Sequence, residues 1–521
     1  MKIRHFFAFF ISGVGMMVLA LFSLAPLGCG GGGSGGPACN LTTEEGCSGG
    51  QVCESVQGGT VACFDPISFV ASAVNLETGQ ALAGVRLVAL DENSSPISGI
   101  CTTDAAGSCE LTISTARDAN GNPVGTFFLR GDAPTYQTFP GGVRPPFPVS
   151  TQGLTVDGNG NLVIDPNLVK IGLIPLPSSS QCTGSISGNA ANPPEKTGVL
   201  VVAETTLGSE ICGVTPAGDP PGSKPRGYTA IADKDTGEYR IFNLPPGSYT
   251  VAGYAKGANY NASPNPVTVS SGVDTAVNLS IRDENTATAN GNVEFANAPN
   301  TVGSSVVFVV ESTLLLVNTT VTTDTGPQEV PILIRGESVP GLRQEVTQNS
   351  SSFTAEGIPA GSYVVLAAFE NDLAVRDPDV CIAGTALQNQ FYTLAPGEVR
   401  TLNSFKITDA LTNPDPTGNK TVAGPNPIFS WDDDSSEKFY DAFVFDGFGR
   451  QIWEKKDIPG VSGSARVSLI YGDAGNPEPE PALVPGEFYQ FRVLDTRTTG
   501  GGSTQCPISQ TEDFLGVFKI Q

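Results

Sequence analysis

Beyond Met17 the chain contains no methionine, and His5 is its only histidine. That absence excludes imidazole general bases, Ser/His/Asp and Cys/His nucleophilic machinery and His-ligated zinc from everything downstream. Charge is scarce as well: 15% of residues are Asp, Glu, Lys or Arg, with 52 acidic against 28 basic and a formal net charge of −24. A surface of that sign repels phosphate backbones, so nucleic acid is a poor partner. Little charge combined with 62 Gly and 40 Pro in 521 residues disfavours long helices and favours short strands joined by turns. The 39% hydrophobic content supports real cores, and the length implies roughly three to five domains.

The start of the chain is organised differently. "MKIRH" is short and basic, and "FFAFFISGVGMMVLALFSL" is an apolar run long enough to enter a membrane. "PLGC", residues 26–29, resembles a bacterial lipoprotein signal, with Gly28 directly before Cys29. The resemblance implies a signal peptide over residues 1–28 and a Cys29 that carries acyl chains such as palmitate. Two or three chains hold durably, since each buried methylene contributes about 0.8 kcal/mol. Inner-membrane retention usually has Asp after the cysteine, and Gly30 stands there instead. The expected location is therefore the bacterial outer membrane, facing periplasm or cell surface. Residues 29–38 read as the lipidated cysteine and a glycine-rich tether, "GGGGSGGP", spanning about 15 Å r.m.s. and roughly 25 Å fully stretched.

The other ten cysteines suit an oxidising compartment. Cys39, Cys47, Cys53 and Cys63 crowd residues 39–65, a stretch too small for a core, so two disulfides of open connectivity are expected. Zinc is a rival there, weakened by the lack of a paired C-x2-C. Cys101 and Cys109 bracket "TTDAAGS" and are expected to flank a hairpin, where the closed loop contributes roughly 2 to 3 kcal/mol. Cys182 and Cys212 pair by locality, which leaves Cys381 and Cys506 as a clamp between domains.

Past residue 66 the pattern is strand and turn. Val85, Leu87 and Ala89 alternate toward one face after the turn "ETGQ", and Gly107 suits the positive φ of a tight turn. "FNLPPGSYTVAGY" and "AEGIPAGSYVVLAAF" share an apolar residue, Pro, any residue, Gly, Ser, Tyr and then alternating apolar positions. Pro245 and Pro359 fix φ entering the turn, Gly247 and Gly361 loosen it, and Tyr249 and Tyr363 begin strands with a ring to bury. These residues resemble the carboxypeptidase regulatory-like family. That resemblance implies seven-stranded transthyretin-type sandwiches over residues 66–178, 179–284 and 285–406, serving as stalk, spacer or binding modules without catalytic residues. In the first copy it rests on "TGQALAGVRL" and "TTDAAGSC". A pilin relative of that fold crosslinks itself through Lys and Asn; here residues 283–405 contain no Lys, so disulfides would take that role. Residues 407–521 are similar to a fibronectin type III-like sandwich: Tyr440, Ala442 and Val444 alternate inward, and Leu483, Pro485 and Tyr489 are spaced like a tyrosine corner.

Candidate sites are few. Asp157, Asn159, Asn161 and Asp165 have an oxygen-ligand rhythm, but Leu162 and Leu168 occupy the positions where an EF-hand needs Gly and Glu, so an Asn-Gly turn is preferred. Asp432 to Asp434 read as a solvated loop. The expected architecture is all-β: tandem β-sandwich domains strung after the signal, tether and disulfide-rich segment. The expected role is non-catalytic, without cofactor or metal: a structural, adhesive or display module held to the membrane by its lipid. The alternative is a glycan-binding or envelope-assembly accessory, with a glycan or protein ligand outside the cell. Solvent-facing Trp431, Trp453 and Tyr254 would favour the alternative.

Overall fold

A computed structural model describes residues 39–41, 45–205, 226–262, 266–295, 304–323, 326–346, 351–369, 390–407, 411–433, 439–461, 466–473, 481–499, 504–511 and 514–521. The signal, Cys29, the glycine tether, Cys212, Cys381 and Asp434 lie outside these residues, as does the side chain of Cys506. Among the described residues there are strands and short 3-10 turns but no α-helix.

The chain opens on a hairpin of β1 (Val52–Val56) and β2 (Thr60–Phe64), whose register sets Cys53 opposite Cys63. Each bonds elsewhere, Cys53 to Cys39 and Cys63 to Cys47, with Cα atoms 5.7 and 5.6 Å apart. The clustered sulfurs are thus in S–S bonds and are not zinc thiolates. Glu54 on β1 pairs with Arg117 in a buried contact and accepts the Thr115 N–H at 2.8 Å, welding the hairpin to the sandwich that follows.

That sandwich is built from β3 (Ile67–Asn75), β4 (Arg86–Asp91), β5 (Cys101–Thr102), β6 (Ser108–Ile113), β7 (Thr126–Asp132), β8 (Val149–Ser150) and β9 (Lys170–Leu173). The second has β10 (Gly184–Asn189), β11 (Leu200–Thr205), β12 (Arg226–Ile231), β13 (Glu238–Leu244), β14 (Gly247–Ala255), β15 (Ala258–Tyr260), β16 (Val267–Val269), β17 (Asp274–Ala276) and β18 (Ile281–Arg282). The third has β19 (Ala287–Phe295), β20 (Ser304–Val310), β21 (Leu315–Thr323), β22 (Gly326–Arg335), β23 (Ser338–Val346), β24 (Ser352–Ile358), β25 (Gly361–Phe369), β26 (Phe391–Leu394), β27 (Val399–Thr401) and β28 (Phe405–Ile407).

One topology recurs. The small sheets run β6-β3-β9, β13-β10-β17 and β24-β19-β27, and in each the outer partner late in sequence is parallel to the central strand. The facing sheets contain β5-β4-β7-β8, β12-β11-β14-β15 and β23-β20-β25-β26. Among the described residues, the third copy carries an inserted hairpin, β21–β22, between its second strand and the strand that pairs with it; the equivalent connection of the second copy, 206–225, lies outside them. The shared Pro-x-Gly-Ser-Tyr stretch is the crossing from the small sheet to the facing one. Tyr249 and Tyr363 are buried there, and each hydroxyl donates to the carbonyl of the proline four residues upstream, Pro245 or Pro359, at 2.7 Å. In the first copy the same crossing is the longer loop 114–125, and it carries the Thr115 and Arg117 that grip Glu54. Cys101 and Cys109 do not flank a hairpin as expected. β5 pairs with β4 and β6 with β3, so their bond, with Cα atoms 5.9 Å apart, joins the two sheets.

The last sandwich comprises β29 (Lys420–Val422), β30 (Ile428–Asp432), β31 (Phe439–Asp446), β32 (Gln451–Pro459), β33 (Arg466–Ile470), β34 (Phe488–Thr499), β35 (Thr504–Gln510) and β36 (Val517–Ile520). Its large sheet runs β29-β36-β34-β31-β32 and faces the pair β30-β33. Tyr440, Ala442 and Val444 point inward, and the Tyr489 hydroxyl accepts the Val484 N–H at 2.9 Å.

The sandwiches are not strung beads. Residues 199–203, "VLVVA", are apolar on both faces and fully buried: Val199, Val201 and Ala203 fill their own core, while Leu200 and Val202 face the neighbours. On β4, Leu87 and Ala89 turn inward, while Val88 and Leu90 turn outward into the cluster holding Leu200, Val202, Ile231, Tyr254, Phe308 and Tyr363. A strand apolar on both faces must be covered on both. The last sandwich folds back on the first: Phe488 and Val517 enter the first core, Lys519 pairs with Asp165, and the Asn167 amide donates to the Gly486 carbonyl at 3.3 Å.

Candidate functional site

The first three sandwiches meet around one arginine. The strand β7 reads "TFFLRGD", and its Arg130 is 2% exposed, because Leu129 fills the first core while the residues on either side of it turn outward. Arg130 Nε lies 3.0 Å from Asp132 Oδ2 on its own strand, and Nη1 lies 2.6 Å from Glu337 Oε1 in the third sandwich. Nη2 donates to the Thr229 hydroxyl at 3.0 Å in the second, and that hydroxyl donates to Glu337 Oε1 at 3.1 Å. Burial by itself would lower the guanidinium pKa; the Asp132 and Glu337 carboxylates outweigh it and hold the pKa above its ordinary value.

Beside this node lies a cavity of about 170 Å³. Its apolar wall includes Leu90, Phe128, Ile231 and Leu315, and its polar wall includes Arg130, Arg335 and Glu337. Arg335 ends the inserted hairpin and Glu337 follows two residues later, so the insertion in the third copy places both groups here. Arg130 is fully matched with acceptors; Arg335 is not. Its Nε and Nη1 are shielded from solvent and have no hydrogen-bond partner among the described residues. Burial, unopposed by any carboxylate, lowers its pKa to about 10. Arg144 also lines the cavity: its Nη1 donates to the Gly172 carbonyl at 2.7 Å and its guanidinium stacks 5.0 Å from the Phe139 ring, while its Nε and Nη2, like the Arg335 nitrogens, are shielded without a hydrogen-bond partner among the described residues.

The residues singled out in the sequence are placed as follows. Trp431, Trp453 and Tyr254 are 0%, 3% and 5% exposed, so none forms a solvent-facing platform. Asp157 spends its carboxylate on its own turn, accepting the N–H groups of Asn159 and Asn161 at 2.8 Å each, while Asp165 pairs with Lys519. Asp432 pairs with Arg466 at 2.6 Å, and Asp433 accepts the Tyr440 hydroxyl at 3.0 Å. Cys182 is disulfide-bonded. Sequence reading missed Arg130, Arg335 and Glu337. The available signal was a charge set inside apolar strands, in "FFLRGD" and "ILIRGE".

No protein-family model and no curated protein matches the chain. Among solved structures it is similar to a DUF3823 family protein from Bacteroides ovatus, at 10% identity and a TM-score of 0.19, covering 45% of this chain and 100% of that one. The major pilin subunit of Bacillus cereus matches at 12% identity and a TM-score of 0.16, over 66% of this chain and 99% of the pilin. A candidate carbohydrate binding protein from Bacteroides uniformis matches at 12% identity and a TM-score of 0.20, over 45% and 99%. The all-β assignment rests on the strand pairing described above.

Proposed function

We propose that this protein is an envelope lipoprotein of the outer membrane, acylated at Cys29, whose β-sandwich body serves as a non-catalytic structural or display module. The observation that carries the structural role is the sharing of buried faces between sandwiches: Val88, Leu200, Val202 and Phe308 belong to one apolar cluster, locked by the Arg130 node. Such a body resists deformation better than independent modules do, since separating the first three sandwiches from one another exposes apolar surface and a buried charge. The disulfides Cys39–Cys53, Cys47–Cys63 and Cys101–Cys109 add covalent stiffness. The leading segment and "PLGC" support the anchor.

Protease shaving of intact cells, with mass spectrometry of the N-terminal peptide, tests this reading. It expects a diacylglyceryl cysteine at position 29 and peptides released from the cell exterior or, after outer-membrane permeabilisation, from the periplasm. An unmodified Cys29 still joined to residues 1–28 would overturn the lipoprotein assignment.

A further inference from the structure

We propose that the cavity at the junction of the first three sandwiches binds a small monocarboxylate with a compact apolar body, its carboxylate seated on the Arg335 guanidinium. Four observations converge on that chemistry. First, Arg335 Nε and Nη1 are shielded from solvent without an acceptor among the described residues, as are Nε and Nη2 of Arg144 on the same cavity, whereas the neighbouring Arg130 is saturated by Asp132, Glu337 and Thr229. A buried guanidinium lacking an acceptor is costly, and an anion supplies the missing partner. Second, the lining also contains Leu90, Phe128 and Ile231, which come from two sandwiches, so a fully hydrated anion such as sulfate would leave these apolar groups uncovered. Third, the volume of about 170 Å³ suits one ring or a short aliphatic chain; a protein cavity of about 150 Å³ accommodates benzene. Fourth, Asp132 and Glu337 already neutralise Arg130, so a second negative charge on the ligand would meet repulsion. The hairpin that delivers Leu315 and Arg335 is inserted in the third sandwich, and its base lines the cavity.

Benzoate is the probe, with benzyl alcohol as its neutral counterpart and sulfate as a charge without an apolar body. Calorimetric titration and thermal melting of the purified protein are expected to show one benzoate site of submillimolar affinity and a raised melting temperature. Benzyl alcohol and sulfate should bind at least tenfold more weakly. Arg335→Met keeps the side-chain stem and removes the unpartnered charge. It is expected to melt no lower than the natural protein without ligand and to lose at least tenfold in benzoate affinity. An absent benzoate response, an equal response to benzyl alcohol or sulfate, or undiminished benzoate binding by Arg335→Met would overturn the proposal. So would failure of Arg335→Met to fold, because the guanidinium would then be a structural group of the free protein.

Discussion

Arg130 shows how much one side chain can govern. It is a single buried cation whose acceptors come from three sandwiches, so its removal leaves Asp132 and Glu337 short of their counter-charge. Arg130→Gln is expected to cost about 3 kcal/mol in urea unfolding, and a loss under about 1 kcal/mol would mean the node is peripheral. Asp91, at the end of β4, gives a pH-dependent counterpart. Burial raises its pKa from 3.8 to about 6, against the opposing N–H groups of Ser95 and Asn93. A carboxyl whose folded pKa is raised stabilises the fold fully below pH 3.8, and that contribution fades as pH rises through about 6. At neutral pH the ionised form is therefore a burden. Asp91→Asn should match the natural protein near pH 4 and exceed it by up to about 3 kcal/mol above pH 6, a difference that melting curves across pH would reveal. An offset independent of pH would count against this origin.

The recurring element is the crossing between sheets. In the second and third sandwiches a proline starts it, and a buried tyrosine hydroxyl ties the proline carbonyl at 2.7 Å. Replacing either tyrosine by phenylalanine keeps the ring packed and strands a buried carbonyl, so Tyr249→Phe and Tyr363→Phe should each cost about 1 to 2 kcal/mol. Equal penalties by chemical denaturation would show that the two motifs are mechanically equivalent. The first sandwich replaces this device with the Cys101–Cys109 bond between its sheets and with the loop that grips Glu54. Opening that bond in the Cys101→Ser, Cys109→Ser double variant should cost roughly 2 to 3 kcal/mol, read from the shift in denaturation midpoint.

At the scale of the whole molecule, the first sandwich contacts the disulfide hairpin, the second and third sandwiches, and the last. Its central strands cannot be solvated on either face, and the same holds for the second and third. Val202 faces away from its own core yet is fully buried, so Val202→Asp is expected to destabilise by more than about 3 kcal/mol. The isolated segment 179–284 should expose Leu200, Val202, Ile231 and Tyr254, bind a hydrophobic dye and self-associate, whereas the complete chain should not. A monomeric, dye-silent 179–284 would mean that its outward face needs no cover.

The all-β character was readable because strand alternation, turn residues and the Pro-x-Gly-Ser-Tyr repeat are local properties, set by φ, ψ and side-chain period over a few residues. Inward positions such as Leu87, Tyr249, Tyr363 and Val444 followed from the same local rule. Only the tertiary structure decided that the sandwiches share faces, that Cys101 and Cys109 join two sheets, and that Arg130, Arg335 and Glu337 gather around one cavity. The reason is separation along the chain: Arg130 and Glu337 lie 207 residues apart. Nothing within the few residues around either one records which distant strand will cover it, and only the packing of complete sheets brings the two charges together.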